Sequence, residues 1–187
     1  LLVAVVSALP PRSAVGLSGL CGAGKTTLAA ALTAALPRVA VVAADDFLDP
    51  AGCTVVTDDW SGLERLRLRD QVVEPFRQGA PVRWQRRDWD HGLVEWHDLP
   101  PCEVLVVEGV GVLHPSLAWD LTVWLDAAPS LALARGIARD RGRYDDHERL
   151  WREVWTPTDL AYVARFRPGA TADLVLRSSS ATEAPLT

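Results

Sequence analysis

The chain has 187 residues, 49% hydrophobic and 23% charged, with a formal net charge of -5 and a pI near 5.3. That length suits one domain with a substantial core, and the acidic balance excludes a broadly basic nucleic-acid-binding surface. Three cysteines, Cys21, Cys53 and Cys102, are an odd number at no metal-ligand spacing, which points to reduced thiols and a cytoplasmic protein.

The first ten residues are apolar, lack a basic leader and end in Pro10-Pro11. They are too short for a membrane span and are expected to form a helix packed on the core. The chain does not begin with Met, which leaves open a start upstream of Leu1. Ala14-Val15-Gly16-Leu17 is of strand type and leads into Gly19-Leu20-Cys21-Gly22-Ala23-Gly24-Lys25-Thr26. This stretch fits the phosphate-binding pattern G-x-x-x-x-G-K-[ST] at every specified position. The helix-forming run from Leu28 to Leu36 completes the strand-loop-helix setting that the pattern needs. Glycines let the backbone turn N–H groups toward phosphate, so Gly19, Cys21, Gly22, Ala23, Gly24, Lys25, Thr26 and Thr27 are candidate nucleotide contacts. Lys25 is the one lysine among 19 basic residues, and it stands where a compact ammonium fits between phosphate oxygens and a forked guanidinium does not. The Thr26 hydroxyl is placed for Mg²⁺.

Val39 to Ala43 is a continuous apolar run that delivers Asp45-Asp46-Phe47, a buried parallel strand ending in acids. A turn at 49–52 and a surface loop to Asp59 follow. Ser61 to Gln78 keeps helical spacing, with Ser61 as N-cap and Gly79 after its end. In residues 81–97 tryptophan alternates with charge, which reads as a hairpin flap. Val104 to Val107, ending in Glu108-Gly109, and Leu121 to Leu125, ending in Asp126, are further strands. Ser130 to Ala138 is helical and passes into an arginine-rich lid at 139–146. His147 to Trp155 is a helix that Pro157 breaks or kinks before another at 158–166. Asp173 to Leu176 is the fifth strand, and the tail 178–187 is expected to fray. Strands alternating with helices imply an α/β three-layer fold with a five-stranded parallel sheet in a single domain, 1–187. Ligands then bind beyond the carboxyl ends of the strands.

Phosphoryl transfer needs a phosphate cradle, a metal, an oriented nucleophile and positive charge on the transferring group. Glu108 is the candidate second Mg²⁺ ligand, directly or through water. Asp45 is placed opposite the γ-phosphate as general base for an acceptor hydroxyl, with Asp46 as a turn acid. Arg135, Arg139, Arg141 and Arg143 offer planar charge for the transition state, the adenine and the phosphates, with Arg139 the catalytic candidate. Trp84, Trp89 and Trp96 on the flap are candidates for stacking on a flat substrate. The four histidines have no ligand spacing.

In order and spacing, Gly16-x-Ser18-Gly19-x-x-Gly22-x-Gly24-Lys25-Thr26-Thr27, Asp45-Asp46-Phe47, Val107-Glu108-Gly109-Val110, Arg135-Gly136-Ile137-Ala138-Arg139-Asp140, Arg141-Gly142-Arg143 and Ala172-Asp173-Leu174-Val175 resemble the uridine kinase family, with phosphoribulokinase and bacterial pantothenate kinase as related members. The resemblance runs from about Ala14 to Arg177. It implies a P-loop kinase of the nucleoside-kinase type, ATP and Mg²⁺ as cofactors, and transfer of the γ-phosphate to a primary hydroxyl of a small molecule. It also places the catalytic aspartate on Asp45, the sugar-binding aspartate on Asp59, and the lid arginines on Arg139, Arg141 and Arg143. Arg141 would then touch substrate.

The usual D-H-P is here Asp59-Trp60-Ser61, and the base-binding flap is Arg83-Trp84-Gln85 or Arg87-Asp88-Trp89, so the acceptor stays open between a nucleoside and another small molecule. A small-molecule kinase of another P-loop family and an idle ATP-binding module remain alternatives. A GTPase is excluded, because the chain has no asparagine for a guanine motif. Partners are a small-molecule acceptor, with no nucleic acid and no membrane; a homo-oligomer is compatible with these features.

Overall fold

The computed structural model describes residues 1–88, 92–142 and 146–178. Its strands are β1 (Ser13–Gly19), β2 (Val39–Ala43), β3 (Arg83–Asp88), β4 (Gly92–Asp98), β5 (Val104–Glu108), β6 (Leu121–Asp126) and β7 (Leu174–Arg177). Five of them form a parallel sheet in the order β2-β5-β1-β6-β7, and β3 and β4 pair antiparallel as a separate hairpin. This is the expected five-stranded α/β core with its flap.

The strands read as unbroken apolar runs because both faces of the sheet are covered. Alternation still sorts them. Val104 and Val106 pack with Val15, Leu17, Ala29 and Leu32 beneath the N-terminal helix (Leu2–Ser7) and the helix that follows the glycine loop (Lys25–Ala35). Leu105 and Val107 pack with Phe47, Leu63, Leu68, Val72, Trp151 and Tyr162 on the opposite face. Helices over each face give the three layers.

Two helices differ from the sequence reading, each for its own physical reason. Residues 61–63 do not begin a helix. Leu63 bridges Leu48, and Gly62 O and Phe47 O accept the N–H groups of Asp49 and Glu64, so this backbone stitches the chain to the turn after β2. The helix begins at Arg65, with Glu64 rather than Ser61 at its cap position. It ends as expected at Gly79, whose φ of 71° is left-handed. Similarly, Pro157 does not break its helix; the run 147–166 is continuous.

Both helices contain a proline, and in both a π-helical turn ends two residues earlier: Arg69–Val73 before Pro75, and Trp151–Trp155 before Pro157. A proline ring clashes with the carbonyl four residues back and has no N–H to bond it. Widening the preceding turn, so that Glu74 N–H reaches Arg69 O and Thr156 N–H reaches Trp151 O, relieves the first problem and removes the need for the second.

The Trp151 turn packs against the helix Pro129–Asp140 at Gly136, where a Cβ would lie 2.3–2.6 Å from three atoms of the indole ring. The ring has no room to yield, because its N–H is bonded to Asp140 at 2.9 Å. Gly136→Ala is therefore expected to cost roughly 1–3 kcal/mol, read as a lower midpoint in urea denaturation with an unchanged slope.

Candidate nucleotide and acceptor site

β1 and β5 are neighbours in register, with Leu17 opposite Glu108, and the glycine loop leaves the carboxyl end of β1. Gly22 (φ 78°) and Gly24 (φ 103°) hold left-handed backbone, which glycine alone adopts cheaply. A Cβ on Gly22 would also stand 2.2 Å from Ala132 O, because the helix Pro129–Asp140 packs directly on the loop. The buried Lys25 ammonium donates to Gly19 O at 3.1 Å and Leu20 O at 2.9 Å. An ammonium carries three N–H groups, so one remains for a phosphate oxygen.

The Thr26 hydroxyl donates to Glu108 Oε1 at 3.0 Å. That spacing matches two adjacent oxygen ligands of an octahedral Mg²⁺, which at about 2.1 Å from the metal lie about 3 Å apart. Burial pushes the Glu108 carboxyl up, Lys25 pulls it down and Asp45 raises it again. A hard cation would compensate this desolvated charge, so the residues present fit Mg²⁺. Bound there, the ion would neutralise phosphate charge.

Asp45 sits on the short helical turn Ala44–Phe47 after β2. Desolvation among the protein atoms crowded around it raises its carboxyl above the ordinary value, Lys25 and Arg139 pull it down and Asp46 raises it again, while the residue keeps an edge in solvent. Asp45, Lys25, Glu108 and Arg139 thus share one electrostatic neighbourhood. Asp46 does more than end a turn. Its Oδ2 accepts the Trp84 indole N–H at 2.8 Å, while its carbonyl accepts from Arg67 at 2.7 Å. Arg67 also reaches Gln85 O at 2.7 Å and Glu64 at 2.8 Å, and lies over the Phe47 ring. One guanidinium therefore joins the flap to the turn that carries Asp45.

This arrangement corrects the expectation for Trp84. The ring is buried and stacks on His97 at 5.6 Å, so it anchors the flap and offers no free face to a substrate. Trp96 is half exposed beneath the Arg83 guanidinium. Trp89 and Arg143 lie outside the described residues. Asp59 is held by Arg65, which bonds its carboxylate at 3.2 Å and its carbonyl.

Of the four arginines expected to serve the phosphates, Arg139 forks onto Asp140 at 2.7 and 3.1 Å above the Trp151 ring. Arg135 donates to Ser178 Oγ at 2.8 Å, and that hydroxyl donates to Ala23 O at 2.9 Å, which joins the helix, the last strand's end and the glycine loop. Arg141 follows the helix end and is exposed.

Three contributors were not singled out from sequence: Arg67, Trp60 and Asp159. Trp60 is buried yet has φ 53°, a genuine outlier for a bulky residue. Its indole N–H donates to Asp159 Oδ1 at 3.1 Å, and Asp159 Oδ2 accepts the Cys21 N–H of the glycine loop at 2.6 Å. Burial pushes the Asp159 carboxyl up to about 6, opposed by Lys25 and by the Cys21 and Trp60 N–H groups. The signal was legible: Asp159 falls on the apolar stripe that runs through Trp155 and Tyr162.

A glycine loop between a central parallel strand and a helix, with a carboxylate from the neighbouring strand on its threonine, defines a P-loop nucleotide-binding protein. The model of the AAA domain family matches residues 15–155, and the chain belongs to that family. No curated protein matches by sequence. Among solved structures, a possible uridine kinase from Bacillus stearothermophilus aligns with a TM-score of 0.69 at 19% identity, over 94% of this chain and 95% of that one. A protein assigned as a fructose transport system kinase from Silicibacter sp. TM1040 aligns with a TM-score of 0.65 at 23% identity, over 94% and 98%. The fold is thus that of uridine kinase-like P-loop kinases. No helix among the described residues is long and apolar enough to cross a membrane, and no cluster of three or more metal-ligating side chains occurs among them.

Because the folded-state pKa of Asp159 lies above its ordinary 3.8, the folded chain binds a proton more tightly than the unfolded one. Its contribution to stability is therefore complete below about pH 4 and lost as the pH rises through about 6. Between pH 4 and 7, wild type should lose about 3 kcal/mol relative to Asp159→Asn, checked by urea denaturation of both across that range.

Proposed function

We propose that the protein is an ATP-dependent phosphotransferase that moves the γ-phosphate of Mg-ATP to a hydroxyl of a small molecule, in the manner of uridine kinase. The observation that best supports this reading is the gathering of Lys25, Asp45, Glu108 and Arg139 at the carboxyl ends of β1, β2 and β5 and the end of the helix before the lid. An idle binding module needs the cradle and the metal pair. It has no need of a further carboxylate, with a raised pKa, beside them.

In this reading the loop N–H groups and Lys25 hold the phosphates, and Thr26 and Glu108 hold Mg²⁺. Asp45 accepts the proton of the acceptor hydroxyl. Its raised pKa brings a carboxylate closer to the working pH and makes it a stronger base. Arg139 leaves Asp140 to place its guanidinium on the transferring phosphate, exchanging one charge-assisted pair for another. The acceptor binds between the turn after β2, the flap and the segment at Asp59, and it is a nucleoside or another compound with an accessible hydroxyl.

The test is acceptor-stimulated ADP release from Mg-ATP across nucleosides, pantothenate, sugars and aminoglycosides. Asp45→Asn should lower kcat roughly 10²–10⁴-fold while nucleotide binding stays within about twofold; unchanged turnover would remove Asp45 from the mechanism. Lys25→Ala should weaken both ATP binding and rate, and normal values for either would sink the site as drawn. With Asp45 as base, the acid limb of the kcat profile should fall as pH drops through a value above that of an ordinary aspartate. A profile flat through the acid range would contradict that role.

A further inference from the structure

We propose that Asp159 is a positioning residue that ties the acceptor-side turn to the phosphate loop, so that the geometry of one is transmitted to the other. The proposal deepens the kinase reading and rests on it only for the identity of the two halves. Three observations carry it. First, the two oxygens of one buried carboxylate are divided between the halves: Oδ2 on the Cys21 N–H of the loop, Oδ1 on the Trp60 indole N–H. Second, Trp60 directly follows Asp59 and is held in left-handed backbone, a conformation that persists only when the surroundings over-determine it. Third, the neighbours of both anchors are braced against them. Gly111, where a Cβ would come within 2.7 Å of Trp60, closes one side, and Thr158 Oγ1 accepts the Thr57 N–H at 3.2 Å on the other.

Only a carboxylate serves here. Both partners are donors, and an amide would present its NH₂ to one of them, so asparagine loses at least one link. The helix that carries Asp159 is itself braced on the acceptor-side loop by Trp155, whose indole N–H donates to Cys53 O at 3.0 Å. A shift of the loop at Cys21 therefore reaches Trp60 through a single rigid side chain. Asp159 touches no reacting atom in this scheme; it acts through the Cys21 amide and Trp60.

Two measurements on the ¹⁵N-labelled full chain test the tie. Trp60→Phe keeps a smaller aromatic ring and removes the indole N–H, which frees Asp159 at one end. The Cys21 amide should then exchange with solvent roughly fivefold faster or more relative to the core amide of Val106. An unchanged ratio overturns the proposal, whereas a purely structural role would move both amides together. In the second, a Mg-loaded non-hydrolysable ATP analogue is titrated without acceptor. The wild-type Trp60 indole signal, assigned as the one missing in Trp60→Phe, should shift in step with binding, and Asp159→Asn should bind the analogue without that shift. A wild-type signal that stays still at saturation, or an intact shift in Asp159→Asn, overturns the coupling. If Asp159→Asn does not fold, the wild-type shift and the exchange ratio decide. A wild type that binds no analogue removes the nucleotide reading instead, and the exchange ratio, which uses no nucleotide, still judges the tie.

Discussion

The hydrogen bond between Thr26 and Glu108 exists because β5 lies beside β1, and the donor half of the site depends on that adjacency. β5 comes late in the chain, after the flap, yet it inserts between β1 and β2. The insertion sets Glu108 against the loop threonine and Asp45 one strand further out. A parallel sheet forces such crossovers, and these in turn bring the strand ends, where the acids are, to one edge. The geometry of the candidate site thus follows from strand order.

The acceptor half is organised differently. Apart from the turn after β2, the five-stranded sheet does not carry it. It hangs on side chains: Arg67 joins Asp46, Phe47, Glu64 and the flap, Trp84 reaches Asp46, and Asp159 holds Trp60. Each guanidinium or indole there satisfies a backbone carbonyl or a carboxylate that would otherwise be costly to bury. Side chains in such a region can be exchanged without disturbing the sheet, whereas the glycine loop, pressed against Ala132 O, tolerates little.

This difference explains what the sequence revealed. The strands, the loop, the flap and the end of the helix 65–78 at Gly79 were readable because period, punctuation and a fixed motif are local properties. The start of that helix was not. Ser61 has the chemistry of a cap, but a long-range bridge between Leu63 and Leu48 claims its backbone. Pro157 looked like a break because the compensating π-turn depends on no single residue type. Trp84 looked like a stacking face because exposure, which its burial against His97 denies, is not written in alternation alone. Asp159 stood in plain view on an apolar stripe, and only its partners, 138 and 99 residues away in the chain, gave it a role.

In the proposed reaction the phosphate leaves ATP for an organic hydroxyl rather than for water. The most direct measurement follows the label from [γ-³²P]ATP and Mg²⁺ with the purified chain and the acceptor panel. Label should appear in an organic phosphate ester, formed in step with ADP and lost in Asp45→Asn. Label recovered only as inorganic phosphate, or retained in ATP with every acceptor, would contradict this reaction.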